Sequence, residues 1–474
     1  MTEISRRDFL KLMAVLPASL AFSNIVSAIH RQVEAAHLDN GLPNLVILVA
    51  DTLSARHLSL YGYSRKTSPN LERFAERATV YHSHYSDGNF TTPGVASLLT
   101  GMYPWTHRAI NLAGLVARSL SNRNIFRLFG EKYYRAGFAQ SLWADLLLNQ
   151  FSPSLNNHVP PTSYRVIGET TIGPKFKSDP TAAFYAYEEF LLSNPPASAV
   201  IGLSERLYYL KRLQEIQKPE EYPRGIHGLY HINYYVEAVF DGLILEISRM
   251  PSPFLTYLHF FPPHAPYLPN KEFIGIFNDG LSPVEKPIHQ LSDGLPAKKL
   301  KRYRKEYDEF IANVDPELGR LLDFFEQASI FERSYIVITS DHGELFERGV
   351  HGHSTPLLYD PVIHIPLIVS APGQRVRRDI YAHTSSVDLV PTLLKAAGRE
   401  IPDWCEGQLL PGLGGYEDAE RSIFAIEAKK NSAFVPISTA TVAMFKEKYK
   451  IIHYLGYSGY NDVWELYDLE NDPE

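Results

Sequence analysis

Cysteine is nearly absent from this chain of 474 residues, with Cys405 its single representative. One thiol excludes an internal disulfide and any cysteine-based zinc site, so a metal would have to be held by oxygen and imidazole. Basic excess is absent too. The formal net charge is -7, with Lys and Arg interspersed among acids, which removes the electrostatic footprint of a nucleic-acid binder. No internal repeat or low-complexity tract interrupts the chain, and no apolar run reaches the ~20 residues a membrane span needs. What is left has the balance of an ordinary folded protein, long enough for one large α/β domain and a smaller appendage.

The first 28 residues are set apart from the fold. Ser5-Arg6-Arg7-Asp8-Phe9-Leu10-Lys11 precedes an apolar run from Leu12 to Phe22 and a cleavage-type triplet, Val26-Ser27-Ala28. The pattern is similar to a twin-arginine export signal, which implies the twin-arginine machinery as a partner and a periplasmic or extracellular destination. The alternative is an uncleaved signal that keeps the protein at the membrane. Residues 29–43 read as a linker, 44–370 as the main domain and 371–474 as a C-terminal subdomain rich in Gly, Pro and short β-prone pieces. Within the main domain, the Pro- and Tyr-rich stretch 150–230 reads as an insertion around a cleft.

Leu45 to Ala50 is a β-prone run without alternation, as expected of a strand buried on both faces of a parallel sheet, and it ends at Asp51. Tyr335 to Ser340 repeats the pattern and ends in Asp341-His342. Phe254 to Leu258 does so again, with Pro262-Pro263-His264 following. Three strands thus deliver polar groups to one sheet edge, where open α/β sheets bind their ligands. Phe310, Ile311, Val314, Leu318, Leu321, Leu322 and Phe325 recur at helical spacing. Pro316 interrupts that helix, and with Asp315 as an N-cap the segment reads equally as two helices.

Asp341-His342, Gly343-Glu344 and His351-Gly352-His353 form a dense cluster of metal-ligand types. Taken alone, this cluster could as well be a helix cap or a surface loop. Thr91-Thr92-Pro93-Gly94 reads as the start of a helix, where a hydroxyl would face the positive end of the dipole. A bare capping role for Thr91 is the other reading.

The motifs Val49-Ala50-Asp51-Thr52-Leu53, Thr67-Ser68-Pro69-Asn70-Leu71, Ala96-Ser97-Leu98-Leu99-Thr100-Gly101, Pro263-His264-Ala265-Pro266-Tyr267, Ser340-Asp341-His342-Gly343-Glu344 and Val387-Asp388-Leu389-Val390-Pro391 resemble, in order, the signatures of the sulfatase family of the alkaline phosphatase superfamily. The resemblance implies an alkaline-phosphatase-like α/β sandwich: a large, mostly parallel sheet flanked by helices, completed by a smaller C-terminal α+β subdomain. It also implies one divalent ion on Asp51, Asp341, His342 and the Thr91 hydroxyl. Manganese or zinc would suit that donor set, and calcium is the ion of sulfatases proper. Thr91, His264 and His353 are the expected catalytic residues. His351, His82, His84 and His107 are read as structural or surface residues.

The pattern also breaks. Where sulfatases carry Cys-x-Pro-x-Arg, this chain has Thr91, Pro93 and Val95, so the cysteine-derived aldehyde cannot form and the supporting arginine is gone. Thr52 stands where many relatives place another metal-binding side chain, and no Lys and His pair is evident around Leu142-Trp143-Ala144-Asp145. An unmodified threonine nucleophile is what the phosphodiesterase and phosphotransferase relatives use. The expected substrate is therefore an anionic ester on a glycan or lipid headgroup, with phosphodiesters ahead of sulfates. A degenerate member that only binds such anions is the competing expectation.

Overall fold

The run Asn44–Ala50 is a fully buried strand, and its side chains divide between two cores. Leu45, Ile47 and Val49 join one apolar cluster, while Val46, Leu48 and Ala50 join the other. That division explains the unbroken apolar run, because neither face of the strand meets water. The computed structural model describes residues 41–166, 199–229 and 232–471. The export segment, most of the linker and the central part of the 150–230 insertion lie outside the described residues.

Among the described residues the main sheet has eight strands, in the order Arg378–Ile380, Thr79–Tyr81, Leu367–Ser370, Ser334–Ser340, Asn44–Ala50, Phe254–Phe260, Tyr134–Ala139 and Asn157–Val159. All pair in parallel except Leu367–Ser370, which runs against both neighbours. One face is covered by helices Pro69–Ala75, Val236–Ser248 and Ala297–Gln327. The other is covered by Thr91–Thr100, Leu142–Phe151 and Leu389–Ala396. This is the alkaline-phosphatase-like sandwich expected from the sequence. No helix among the described residues is long and apolar enough to cross a membrane.

Ala297–Gln327 is one continuous helix with Pro316 inside it, so the two-helix reading is overturned. Pro316 lies on the exposed side, where water can satisfy the carbonyl that proline leaves without an N–H partner. Nor does Asp315 cap its own helix. Its carboxylate accepts hydrogen bonds from the Asn70 and Leu71 amides and from Asn70 Nδ2, at 2.8–3.1 Å. It thereby caps Pro69–Ala75, whose own N-cap residue, Ser68, makes no side-chain capping bond.

Ser422–Glu427, Ala440–Lys446, Tyr449–Leu455 and Val463–Asp468 form a separate antiparallel sheet in sequential order. Its apolar face packs on Tyr85, Leu345, Leu357, Leu358 and Ile363. The Val387-Asp388-Leu389 motif serves this junction. Asp388 completes a capping box with Ser385 and receives both terminal nitrogens of Arg421, at 2.5 and 2.8 Å.

Candidate active site

Parallel pairing in register brings Ala50, Ser340 and Phe260 level at the carboxyl edge of the sheet. Asp51 and Asp341 are the residues that follow two of these strand ends, and both are fully buried. His342 comes next, its Nε2 lying 3.7 Å from Asp51 Oδ1 and 3.4 Å from Asp341 Oδ2. On the far side of the edge, Thr91 opens the helix Thr91–Thr100, and its Oγ1 lies 3.3 Å from His342 Nε2. The helix comes this close because residue 94 is glycine, since a Cβ there would collide with the Asp341 carbonyl oxygen.

The sequence reading missed His259. It sits one residue before the end of its strand, paired with Val49, and its Nε2 lies 3.3 Å from Asp51 Oδ2 and 3.8 Å from Asp341 Oδ2. Extending the strand beyond Leu258 to Phe260 would have exposed the signal, an imidazole in an otherwise apolar strand at the edge already marked by two acids.

Asp51, His259 and Asp341 form a buried cluster that could hold a divalent metal, their ligand atoms all within 4.8 Å of one another. Both Asp51 oxygens, Asp341 Oδ2 and His259 Nε2 are buried without a hydrogen-bond partner. Buried polar atoms are ordinarily satisfied, so four orphans facing one point fit a cation. The imidazoles are oriented for it as well. His342 Nδ1 donates to the Gly343 carbonyl at 3.0 Å and His259 Nδ1 meets Tyr257 Oη at 2.9 Å, leaving each Nε2 toward the cluster.

The electrostatics follow from crowding. Burial, and then the Asp51 carboxylate, push Asp341 up to about 7. Burial works against Asp51 too, but the close approach of His259 Nε2, at 3.3 Å, and the charges of His264, His259 and His342 outweigh it and hold that carboxyl below the usual range. Burial drives His342 well below the ordinary histidine value.

His353 and His264 stand over the same place. The His353 ring is 4.3 Å from the His342 ring and 5.0 Å from that of His264, which stacks on Phe261 at 4.3 Å. Burial lowers His264. It would lower His353 too, but Glu344 at 3.2 Å raises His353 above the ordinary value. Opposite shifts in adjacent groups are the usual mark of an acid and a base.

The other histidines have local partners. His351 meets Tyr267 Oη, His82 meets Asp379, His84 meets Thr384 and His107 meets Ser97. Near the same sheet edge, Gln140 Oε1 accepts from the Phe261 amide, while its Nε2 is buried without a partner. A separate cavity of about 210 Å³, lined in part by Arg56, Tyr63, Arg304 and Lys450, contains none of these groups.

The family model "Sulfatase" matches residues 43–399, and the model of the N-sulphoglucosamine sulphohydrolase C-terminal region matches 349–474. Choline-sulfatase of Rhizobium meliloti is 22% identical over 465 residues, covering 92% of this chain and 82% of that protein. The phosphonate monoester hydrolase of Agrobacterium radiobacter superposes with a TM-score of 0.65 at 17% identity, covering 91% of this chain and 90% of that one. A second structure, that of a third relative in complex with its substrate D-glucosamine-2-N,6-O-disulfate, superposes with a TM-score of 0.64 at 17% identity, covering 91% of this chain and 92% of that one. A family model spanning most of the chain, on a fold that the solved relatives share, places this protein in the sulfatase family of alkaline phosphatase superfamily hydrolases.

Proposed function

We propose that the protein hydrolyses or transfers anionic esters, phosphodiesters foremost, through the Thr91 hydroxyl beside a divalent-cation centre of Asp51, His259, Asp341 and His342. The observation that carries this reading is the 3.3 Å approach of Thr91 Oγ1 to His342 Nε2, beside both Asp51 oxygens and Asp341 Oδ2, which lack partners. A bound divalent cation would supply charge neutralisation for the ester oxygens and a lowered pKa for the hydroxyl.

The remaining chemistry belongs to the chain. The Thr91 helix N-terminus directs its dipole at the ester anion. Thr91 Oγ1, its proton released to water, attacks phosphorus as the bond to the leaving oxygen breaks, and His353, held protonated by Glu344, delivers its proton to that oxygen. Water or an acceptor hydroxyl then takes the phosphoryl group from Thr91. His264 orients the ester across the mouth of the site.

The phosphonate monoester hydrolase among the solved relatives supports phosphorus chemistry. The choline-sulfatase relative supports a second reading, a sulfuric ester hydrolase working without the aldehyde. A glycan ester is consistent with the disulfated sugar bound by the third relative. Export is proposed on Arg6-Arg7 and the apolar run that follows.

Metal analysis coupled to parallel assays on aryl sulfate, phosphate monoester and phosphodiester tests the proposal. Thr91→Ala should abolish turnover while metal content stays. Turnover surviving in that variant removes Thr91 from the mechanism, and anion binding without turnover of any ester turns the reading into a binding protein.

A further inference from the structure

The loop before the nucleophile is fastened at two points to the segment that carries the metal ligands and His353. Ser86 Oγ reaches the Asp341 carbonyl at 2.5 Å. Three residues on, the fully buried Asn89 side chain donates through Nδ2 to the carbonyls of His353 and Thr355, at 2.8 and 2.7 Å. Both contacts are carbonyl oxygens, so the orientation of the amide is fixed, because only nitrogen can face them.

Residues 353–356 form no helix or strand. The Thr355 amide folds back on the His353 carbonyl at 2.8 Å, and Asn89 bridges that turn to a loop only two residues from Thr91. The helix Thr91–Thr100 is itself locked against Asp341 by Gly94. Relative to the nucleophile, His353 is therefore held from its backbone by Asn89 and from its ring by Glu344.

We propose that Asn89 is a positioning residue for proton delivery, and that its two hydrogen bonds set where the His353 imidazole stands relative to the Thr91 oxygen. This rests on the general-acid reading of His353. Asn89 itself exchanges no proton. When the ester bond breaks, the proton passes from His353 to the departing oxygen, and a displaced backbone at 353 removes that transfer without touching Thr91 or the metal ligands. A leaving group that needs no proton should be indifferent to the loss.

Asn89→Ala, and Asn89→Asp as a near-isosteric variant without the donors, test this with 4-nitrophenyl, phenyl and methyl esters of whichever acid the wild type turns over. The methyl ester should lose about 100-fold in kcat/KM and the 4-nitrophenyl ester less than about threefold, the range expected of one lost general acid. His353→Ala should show the same signature, and the double variant should add nothing to it. Equal losses across the three esters, or additive losses in the double variant, overturn the proposal.

A second measurement needs no turnover. Amide hydrogen exchange over 353–357 should accelerate about tenfold in both Asn89 variants, as expected for the loss of two hydrogen bonds, while exchange in Asn44–Ala50 stays unchanged. Unaltered exchange at 353–357 overturns the positioning role. A wild type that hydrolyses none of the esters sinks the proposed function instead, and leaves this exchange result to decide on Asn89.

Discussion

Asp341→Asn should make the metal-free protein more stable. Asp51 and Asp341 offer ligand oxygens within 4.8 Å of each other in a fully buried site. Coulomb's law at an effective dielectric constant of ~20 gives ~3 kcal/mol of repulsion at that distance when both are ionised. An asparagine keeps the shape and removes the charge, so in EDTA at pH 9, above the ordinary histidine range, the variant should gain up to that amount. The sign also fixes a pH dependence. Asp341 has a folded-state pKa of about 7 against an ordinary 3.8, so the folded metal-free protein holds this proton more tightly than the unfolded chain does. Its contribution to stability is present below about pH 4 and is lost as pH rises through about 7. Guanidinium unfolding of wild type and variant, with EDTA and with excess manganese or zinc, checks both statements. Wild type should be rescued by metal and the variant should not. An Asp341→Asn protein less stable than wild type in EDTA, or equally stabilised by metal, would refute the argument.

His259→Ala should weaken metal affinity by about 100-fold or more, since it removes a ligand rather than one of the outer partners whose loss costs 10–100-fold. Competition with a chromogenic chelator reads this directly, and unchanged affinity would remove His259 from the centre. Arg421→Met should destabilise the protein by ~3–5 kcal/mol, the usual cost of stranding a buried carboxylate. Asp388 would lose both guanidinium contacts where the small sheet meets the main domain, and chemical unfolding measures the loss.

Much of the fold was legible because burial on two faces writes itself into sequence as apolar runs. Leu45 to Ala50 and Tyr335 to Ser340 could be located within a residue, each with its acid at the end. Pro316 misled because its effect depends on which side of the helix meets solvent, which spacing alone does not state. The candidate site could be proposed from sequence where a chemical residue followed a strand or opened a helix, as with Asp51, Asp341, His342 and Thr91, which the fold brings together. His259 stayed hidden because it lies inside a strand and its role exists only through pairing with Val49, a residue distant in sequence. Asn89 left no signal at all. A side-chain amide that binds two carbonyls across the fold is a tertiary fact, with no period or composition attached to it.

The apolar residue at position 95 bears on which esters this site accepts. Val95 is fully buried in the core cluster with Leu45 and Leu99, so position 95 lends no charge to the nucleophile. The cationic side chains acting most strongly on Asp51 and Asp341 are histidines, not lysine or arginine, and His353 is raised by the carboxylates of Glu344, Asp51 and Asp341. With a divalent cation and a protonated His353 set against Asp51, Asp341 and Glu344, the site is close to neutral. A neutral, buried site receives a monoanion at little cost, whereas a second negative charge is desolvated without a partner. Phosphodiesters and sulfate monoesters carry one charge and phosphate monoesters carry two at pH 8, so the first two should be preferred over 4-nitrophenyl phosphate by about 100-fold or more in kcat/KM, equivalent to ~3 kcal/mol of unmet charge. Comparable turnover of the dianion would show that a cationic group outside the histidine cluster reaches the ester, and would undo the link drawn between Val95 and substrate charge.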